Sequence, residues 1–317
     1  MPEKLTTIGH IVEDTASPEN VLGGGVSYSG MMANELGLEV QVITKITPDH
    51  RFLDLFADRG IDVLTLPTAS SEVTTFTNSY DGNGNRRQLV SGRQETITHH
   101  DLERVPSERL NSSYILVAPV IDEVDTDAIP HLSRHGRVAV TPQGYFRRRG
   151  DGGVIYQQEW SGFENDLSHA ALTVMSEEDI SQDGIINGNL LEKIASASPI
   201  TVLTRGERGA TVFRNGQKDF DVHAFSLGSN DGRNPDFTGA GDTFTASLIA
   251  KLMTGGDYHD AGVFAALIAA IKISAVAGKG IDSIPNRQQI DKFMEEHNTQ
   301  LRDFLARNQS SERALSF

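Results

Sequence analysis

The sequence holds no cysteine among its 317 residues. That removes disulfides, thiolate catalysis and cysteine-held zinc together, and it fits a cytoplasmic setting. Basic residues are scarce, with 28 Lys and Arg against 43 Asp and Glu and a net charge of −15. Nucleic acid demands stripes of Lys and Arg, so it is not expected as a partner, whereas a small anion needs only a few local donors. Long apolar runs are missing too. The longest, AGVFAALIAAI (261–271), falls well short of the roughly 20 residues of a membrane span and reads as a buried helix. The first residues, MPEKLTTIGHIVEDT, have no apolar core of the signal-peptide kind. Neither a membrane nor export is expected.

What is present suits a folded α/β protein. A hydrophobic content of 38% against 22% charged residues can bury a large core, in one domain or two. KLTTIGHIV (4–12) reads as a first strand, a glycine turn and small-residue helix follow, and EVQVITKI (39–46) reads as a second strand. DHRFLDLFADRG (49–60) has helical spacing and a terminal glycine. Strand and helix in alternation imply parallel pairing. SEVTTFTNSYDGNGNRRQLVSG (71–92) breaks that rhythm: β-branched residues around DGNGN predict a hairpin appended to the main sheet. The alternation resumes with strands predicted at 113–120, 137–144, 170–176, 200–206 and 210–216. Helices are predicted over 180–196 and 242–253, and an amphipathic closing helix over 286–308 with Ile290, Phe293, Met294, His297, Leu301, Phe304 and Leu305 on one stripe. RRRGDGG (147–153) resembles a linker, but the strand rhythm runs across it, so one domain of 1–317 with a small β appendage is expected.

Three glycine motifs were compared with known phosphate-binding patterns. In LGGGVSYSG (22–30) Tyr28 stands where the dinucleotide fingerprint needs its third glycine, and the pair Gly278-Lys279 is followed by Gly280 rather than Ser or Thr, so both that fingerprint and the P-loop fail. In DFTGAGDTFTASLIAKL (236–252) the parts explain one another. Gly239, Ala240 and Gly241 leave the backbone N–H groups uncovered, and a helix beginning near Asp242 would aim its positive end at the same point. A helix cap accounts for Asp242 alone. A phosphate cradle with Asp242 as base accounts for the small residues as well.

On these residues the chain resembles the ribokinase-like (PfkB) carbohydrate kinases. NPDFTGAGDTFTASLIAKL is similar to their C-terminal signature, LGGGVSYSGMMANELGLEVQVITKITPD to their N-terminal one, and VLTRGERGATVF (202–213) to the strand–turn–strand beside the nucleotide. The resemblance implies a three-layer α/β/α fold with a mostly parallel central sheet and a small β-sheet lid drawn from about 12–22 and 71–92. It implies Asp242 as catalytic base over an anion hole of Gly239, Ala240 and Gly241, and Asp14 as the acid that grips substrate hydroxyls, with Gly24 and Gly25 at the substrate turn. Thr204, Gly206 and Gly209 match the nucleotide side, and Asp236 and Thr238 match positions where some members bind a monovalent cation such as K+. ATP and Mg2+ are the implied cofactors, a sugar or polyol the substrate, and the lid a surface through which some members dimerise.

Two departures bear on substrate and metal. The family's usual asparagine is replaced by Tyr28, and its NxxE motif appears as Ser176-Glu-Glu-Asp179, which leaves Asp179 as the magnesium-proximal acid or as a helix-start residue. Tyr28 could be packing, but because it replaces a ligand-facing residue it is read as a pocket residue that contacts substrate. Arg86 and Arg87 read as a solvated hairpin edge or a contact to substrate phosphate, and Gln143 and Arg147 as loop or pocket past a strand end. LGGGxxYS, DGNGNRRQL and PQGYFRR are most similar to the myo-inositol kinase branch. The expected function is therefore ATP-dependent phosphorylation of a polyol or sugar hydroxyl, with a nucleoside kinase or a non-catalytic binding protein as alternatives. The histidines His99, His100, His131 and His135 lack the spacing of a metal site and read as surface residues.

Overall fold

The computed structural model describes residues 3–15, 19–80, 86–182, 184–226, 235–274 and 278–309; the DGNGN turn of the predicted hairpin lies outside them. Nine strands form the main sheet: β1 (Lys4–Ile8), β2 (Glu39–Thr44), β3 (Asp62–Thr65), β4 (Tyr114–Val117), β5 (Arg137–Val140), β6 (Leu172–Ser176), β7 (Ile200–Thr204), β8 (Ala210–Arg214) and β9 (Gln217–Val222). Their spatial order is β9-β8-β7-β6-β5-β4-β1-β2-β3. The run from β3 to β7 is parallel, and β8 and β9 close one edge antiparallel.

Alternate residues of the central strands face opposite layers, as the two-residue strand period requires. Leu5, Tyr114, Leu116 and Ala139 enter one apolar core with the helices Gly25–Glu35, Ala240–Met253 and Tyr258–Ile273, while Ile8, Ile115, Val117, Val138 and Val140 enter another on the far face. Burial on both faces explains why these strands read as apolar runs. The result is the three-layer α/β/α arrangement that the sequence led us to expect.

A separate four-stranded sheet joins Val12–Asp14 to Val21–Gly23 on one side and to Thr75–Tyr80 on the other, with Arg86–Ser91 outermost. The junction between the two sheets is polar and buried. His10, 1% exposed, bonds through Nδ1 to Thr74 Oγ1 at 3.0 Å and through Nε2 to the Glu95 carbonyl at 3.0 Å. Burial pushes its imidazole down to about 3, so it is neutral at ordinary pH. Beside it the fully buried Glu123 accepts the backbone N–H groups of Val120 and Ile121 at 2.7–2.8 Å.

Several elements depart from the sequence reading. The strand predicted over 137–144 ends at Val140, and Pro142–Phe146 forms a 3-10 turn, because Pro142 has no N–H for a ladder and its fixed φ suits a first helical turn. The helix predicted over 180–196 is confined to Gly188–Ala197, started by the Asn187 side chain on Leu190 N at 3.0 Å; Ser181–Gln182 and Ile185–Ile186 pair instead as a short hairpin. The closing helix is two, Arg287–Glu296 and Asn298–Asn308, broken where His297 turns back to donate Nδ1–H to the Phe293 carbonyl (3.0 Å) and stacks on the Phe293 ring. Strands β3 and β9 went unread, the latter because QKDFDV is a polar, largely exposed edge.

One turn shows what the glycines do. Gly24 has φ 97°, and a Cβ there would lie 2.7 Å from the His10 carbonyl oxygen, whereas Gly37 has φ 88° with open space around it. Both positions disfavour a side chain, but only the first also meets backbone. Gly24→Ala is expected to lower the unfolding free energy by well over the ~1–2 kcal/mol expected of Gly37→Ala; parallel denaturant titrations check this, and equal losses would refute the close-approach argument.

Candidate active site

The site gathers at the carboxyl ends of the parallel strands, where open α/β sheets offer a crevice. The helix Ala240–Met253 begins there behind Gly239, which takes the left-handed φ of 72° and serves as its N-cap residue. Ala240 N–H is turned back to Phe237 O (3.2 Å) and Thr243 N–H to Gly239 O (2.9 Å). The N–H of Gly241 has no carbonyl partner among the described residues, as is usual in a first helical turn. Asp242 stands in that turn.

A second helix starts against the first. A Cβ on Gly25, the opening residue of Gly25–Glu35, would come within 3.0 Å of Asp242 Oδ1 and 3.2 Å of the Ala118 carbonyl. Two positive helix ends thus converge on one carboxylate. Asp14 borders the same turn: a Cβ on Gly23 would collide with its carboxylate oxygen. Gly23 and Gly25 are therefore the places where backbone, not side chain, must meet the two carboxylates, while Gly24, expected at the substrate turn, is required by its approach to His10 and Val12.

Asp242 is only partly open to solvent and closely surrounded. Burial pushes its carboxyl up to about 6; the Lys272 and Arg147 charges oppose that rise, and Asp179 adds to it. Asp179 is itself raised by burial, with Arg147, the Ser176 N–H and the Gln143 side chain acting against it. It closes a capping box, accepting Ser176 N–H at 2.9 Å. Gln143, Arg147, Asp179 and Asp242 are thus brought together. Asp179 spends one acceptor site of Oδ2 on the Ser176 N–H and meets the Gln143 side chain, and it keeps further lone pairs of the kind a magnesium ion takes.

Tyr28 reaches the site from behind. It is 2% exposed, its ring fills the space where a Gly239 side chain would stand, and its hydroxyl has no partner among the described residues. Burial raises the phenol far above its ordinary value, and Asp14, Asp236, Asp242 and Asp282 add to the rise. The tyrosine packs beneath the cradle and offers a ligand almost no surface. Arg87 pairs through its backbone with Ser79 in the small sheet, and its side chain lies outside the described residues.

Thr204 ends β7 in register with Ser176 of β6, its Oγ1 donating to the Met175 carbonyl at 3.3 Å. Gly206 (φ 54°) and Gly209 (φ 81°) shape the turn into β8; a side chain on Gly209 would run into the Val222 carbonyl. A Glu177–Arg208 ion pair ties this turn to the segment holding Asp179.

Sequence reasoning passed over Lys272. It is 0% exposed near the end of Tyr258–Ile273, and its Nζ lies 3.0 Å from the Asp236 carbonyl oxygen and 3.2 Å from Asp236 Oδ2. Asp236 Oδ2 also accepts Gly280 N–H (2.6 Å) and Ser283 Oγ–H (3.3 Å), and Oδ1 accepts Thr238 N–H (3.1 Å). Although burial works to raise it, Asp236 is held below the usual carboxylate range, chiefly by the Lys272 charge. The available signal was a lysine set between Ile271 and Ile273 in a helix apolar all round.

The class of fold is that of the ribokinase family. A pyrophosphate-dependent kinase in that family, solved with a pyrophosphate analog and myo-inositol, superimposes with a TM-score of 0.70 at 23% identity over 91% of this chain and 99% of that one. Ribokinase from Arabidopsis thaliana, solved with ribose and ATP, gives 0.67 at 15% over 93% and 99%. The nucleoside kinase of Methanocaldococcus jannaschii gives 0.67 at 14% over 93% and 99%. A comparison with curated protein sequences found no match. Residues 170–283, which hold Asp179, Thr204, Asp236, the cradle and Lys272, match the pfkB family carbohydrate kinase model. The resemblance read from the motifs is thereby shown: a pfkB-type segment within a ribokinase-like fold.

The raised Asp242 carboxyl has a stability consequence. A folded-state value of about 6 against an unfolded 3.8 means that stability is lost as the pH rises from about 4 to about 6, with the full cost above about 6 and none below about 4. Asp242→Asn is expected to gain about 1–3 kcal/mol and a few degrees of melting temperature at pH 8, with the gain vanishing at pH 4. Identical melting of the two proteins at pH 8 would contradict the assignment.

Proposed function

We propose that this protein transfers a phosphoryl group to a hydroxyl of a small polyol or sugar, with an inositol-like ring as the favoured acceptor. The observation that carries the reading is Asp242 standing in the first turn of Ala240–Met253, one residue past an uncovered Gly241 N–H and against the start of Gly25–Glu35. In this reading Asp14 grips the acceptor. Asp242 takes the proton of the attacking hydroxyl while the hydroxyl oxygen bonds to the terminal phosphorus of the donor, and the phosphorus–oxygen bond to the leaving group breaks. The helix N-terminus holds the charge that gathers on the phosphoryl oxygens. The small sheet of Val12–Asp14, Val21–Gly23, Thr75–Tyr80 and Arg86–Ser91 is the lid over the acceptor, within a single domain.

ATP is the first donor we assign, with Thr204, Gly206 and Gly209 on its side of the cleft. Mg2+ would arrive with the donor phosphates and neutralise their charge, with Asp179 as the acid of the cleft that could face it. A second reading, pyrophosphate as donor, is favoured by the fold's likeness to the pyrophosphate-dependent kinase and by Arg147 beside Asp179 and Asp242.

The test is product release over a panel of inositols, sugars and nucleosides, with magnesium and either ATP or pyrophosphate. Turnover of a polyol or sugar is the expected result; turnover of nucleosides alone, or of nothing, would overturn the acceptor class. On a true substrate Asp242→Asn is expected to lower kcat by about 10²–10⁴. Because the base must be ionised, the wild-type rate should fall as pH drops through about 6. Near-full activity in the Asn variant would sink the mechanism.

A further inference from the structure

Lys272 carries a charge to which the transfer reading gives no step, beyond its pull on the Asp242 carboxyl. A buried ammonium is expensive unless it is paired, so its surroundings report what it is for. They are a backbone carbonyl and a carboxylate oxygen, both of Asp236, at 3.0 and 3.2 Å, and the face of the Tyr28 ring 5.5 Å from Nζ. Oxygen ligands and a π face are what a small cation attracts. The carboxylate also accepts Gly280 N–H on Oδ2 and Thr238 N–H on Oδ1. A free ion at Oδ2 would have to compete with the Lys272 and Gly280 donors that the fold already holds there.

The position of the pair matters as much as its chemistry. Asp236 N–H is fastened to the Ile273 carbonyl at 2.9 Å, so the segment entering the cradle is anchored at both the N–H and the C=O of Asp236 to the end of one helix. Through Gly280 and Ser283 the same carboxylate anchors the loop on the opposite side. Tyr28, with Lys272 on one side and Gly239 on the other, transmits the packing to the cradle itself.

We propose that the Lys272 ammonium is a tethered monovalent cation: it occupies beside Asp236 the place that sequence resemblance gives to K+, braces the segment leading into the cradle, and makes the protein indifferent to potassium. Lys272 is a positioning residue in this scheme, acting on the site through Asp236 and Tyr28. Only the statement about turnover rests on the proposed kinase activity.

The experiment compares melting temperatures of wild type and Lys272→Ala in potassium chloride and in choline chloride at equal ionic strength. Wild type is expected to melt at the same temperature in both. The variant, with a cavity where the side chain was, should melt lower in choline and regain part of the loss in potassium. Potassium-specific stabilisation of wild type would overturn the proposal, as would a folded variant that responds equally to the two salts. Should the variant not fold, the wild-type comparison decides alone. These readouts need no substrate, so they stand apart from any failure to identify donor or acceptor. With a substrate in hand, wild-type turnover should be equal in the two salts, and a potassium requirement would count against the proposal.

Discussion

The arrangement of the site depends on the contact between two helix starts at a single carboxylate. Gly25 and Gly239 have no side chains, and this lets Gly25–Glu35 approach Asp242 and lets the Tyr28 ring pass beneath the cradle. Two helix ends favour a negative charge there, while the surrounding protein opposes it, and the balance leaves the carboxyl with a value of about 6. A group so placed is ionised at neutral pH yet close enough to its proton equilibrium to exchange one. Every parallel strand from β1 to β7 delivers its carboxyl end to the same side of the sheet, so the remaining residues need only short loops to reach it.

Much of this was legible in the sequence because the relevant features leave a mark on residue type. Strands buried on two faces are largely apolar, with threonines such as Thr6, Thr7, Thr173 and Thr201 among the buried residues, and those strands were found; a backbone that must approach a ligand or another backbone must be glycine, and LGGG and TGAGD stood out for that reason. The elements missed are those whose cause is tertiary. β9 is a polar edge held by pairing with β8, and the break at His297 comes from a side chain turning back on its own helix without any proline or glycine to announce it. The site was unevenly legible in the same way. Asp242 and its glycines were visible, whereas the direction of Tyr28 and the burial of Lys272 are set by neighbours 36 residues or more away in the chain. A lysine after an apolar run looks the same whether it ends a helix in water or carries a charge into the core.

The ion pair and the cradle illustrate a division of labour between local and distant interactions. Helix geometry alone presents the N–H groups, and it does so at any helix start. What distinguishes this one is that the segment before it, Asp236 to Thr238, is fixed by bonds to Ile273, Gly280 and Ser283 rather than left as a loop. Precision in the site is then a property of the core, since Lys272 and Tyr28 belong to it.

The His10 junction has a different significance. It links the main sheet to the small one through an imidazole that stays neutral down to about pH 3, and it draws no strength from protonation over the range in which Asp242 titrates. Acidification through about 6 therefore changes the charge of the base while the His10 bonds to Thr74 and Glu95 stay as they are. The molecule separates a carboxyl that senses protons from a histidine contact that is deaf to them over the same range.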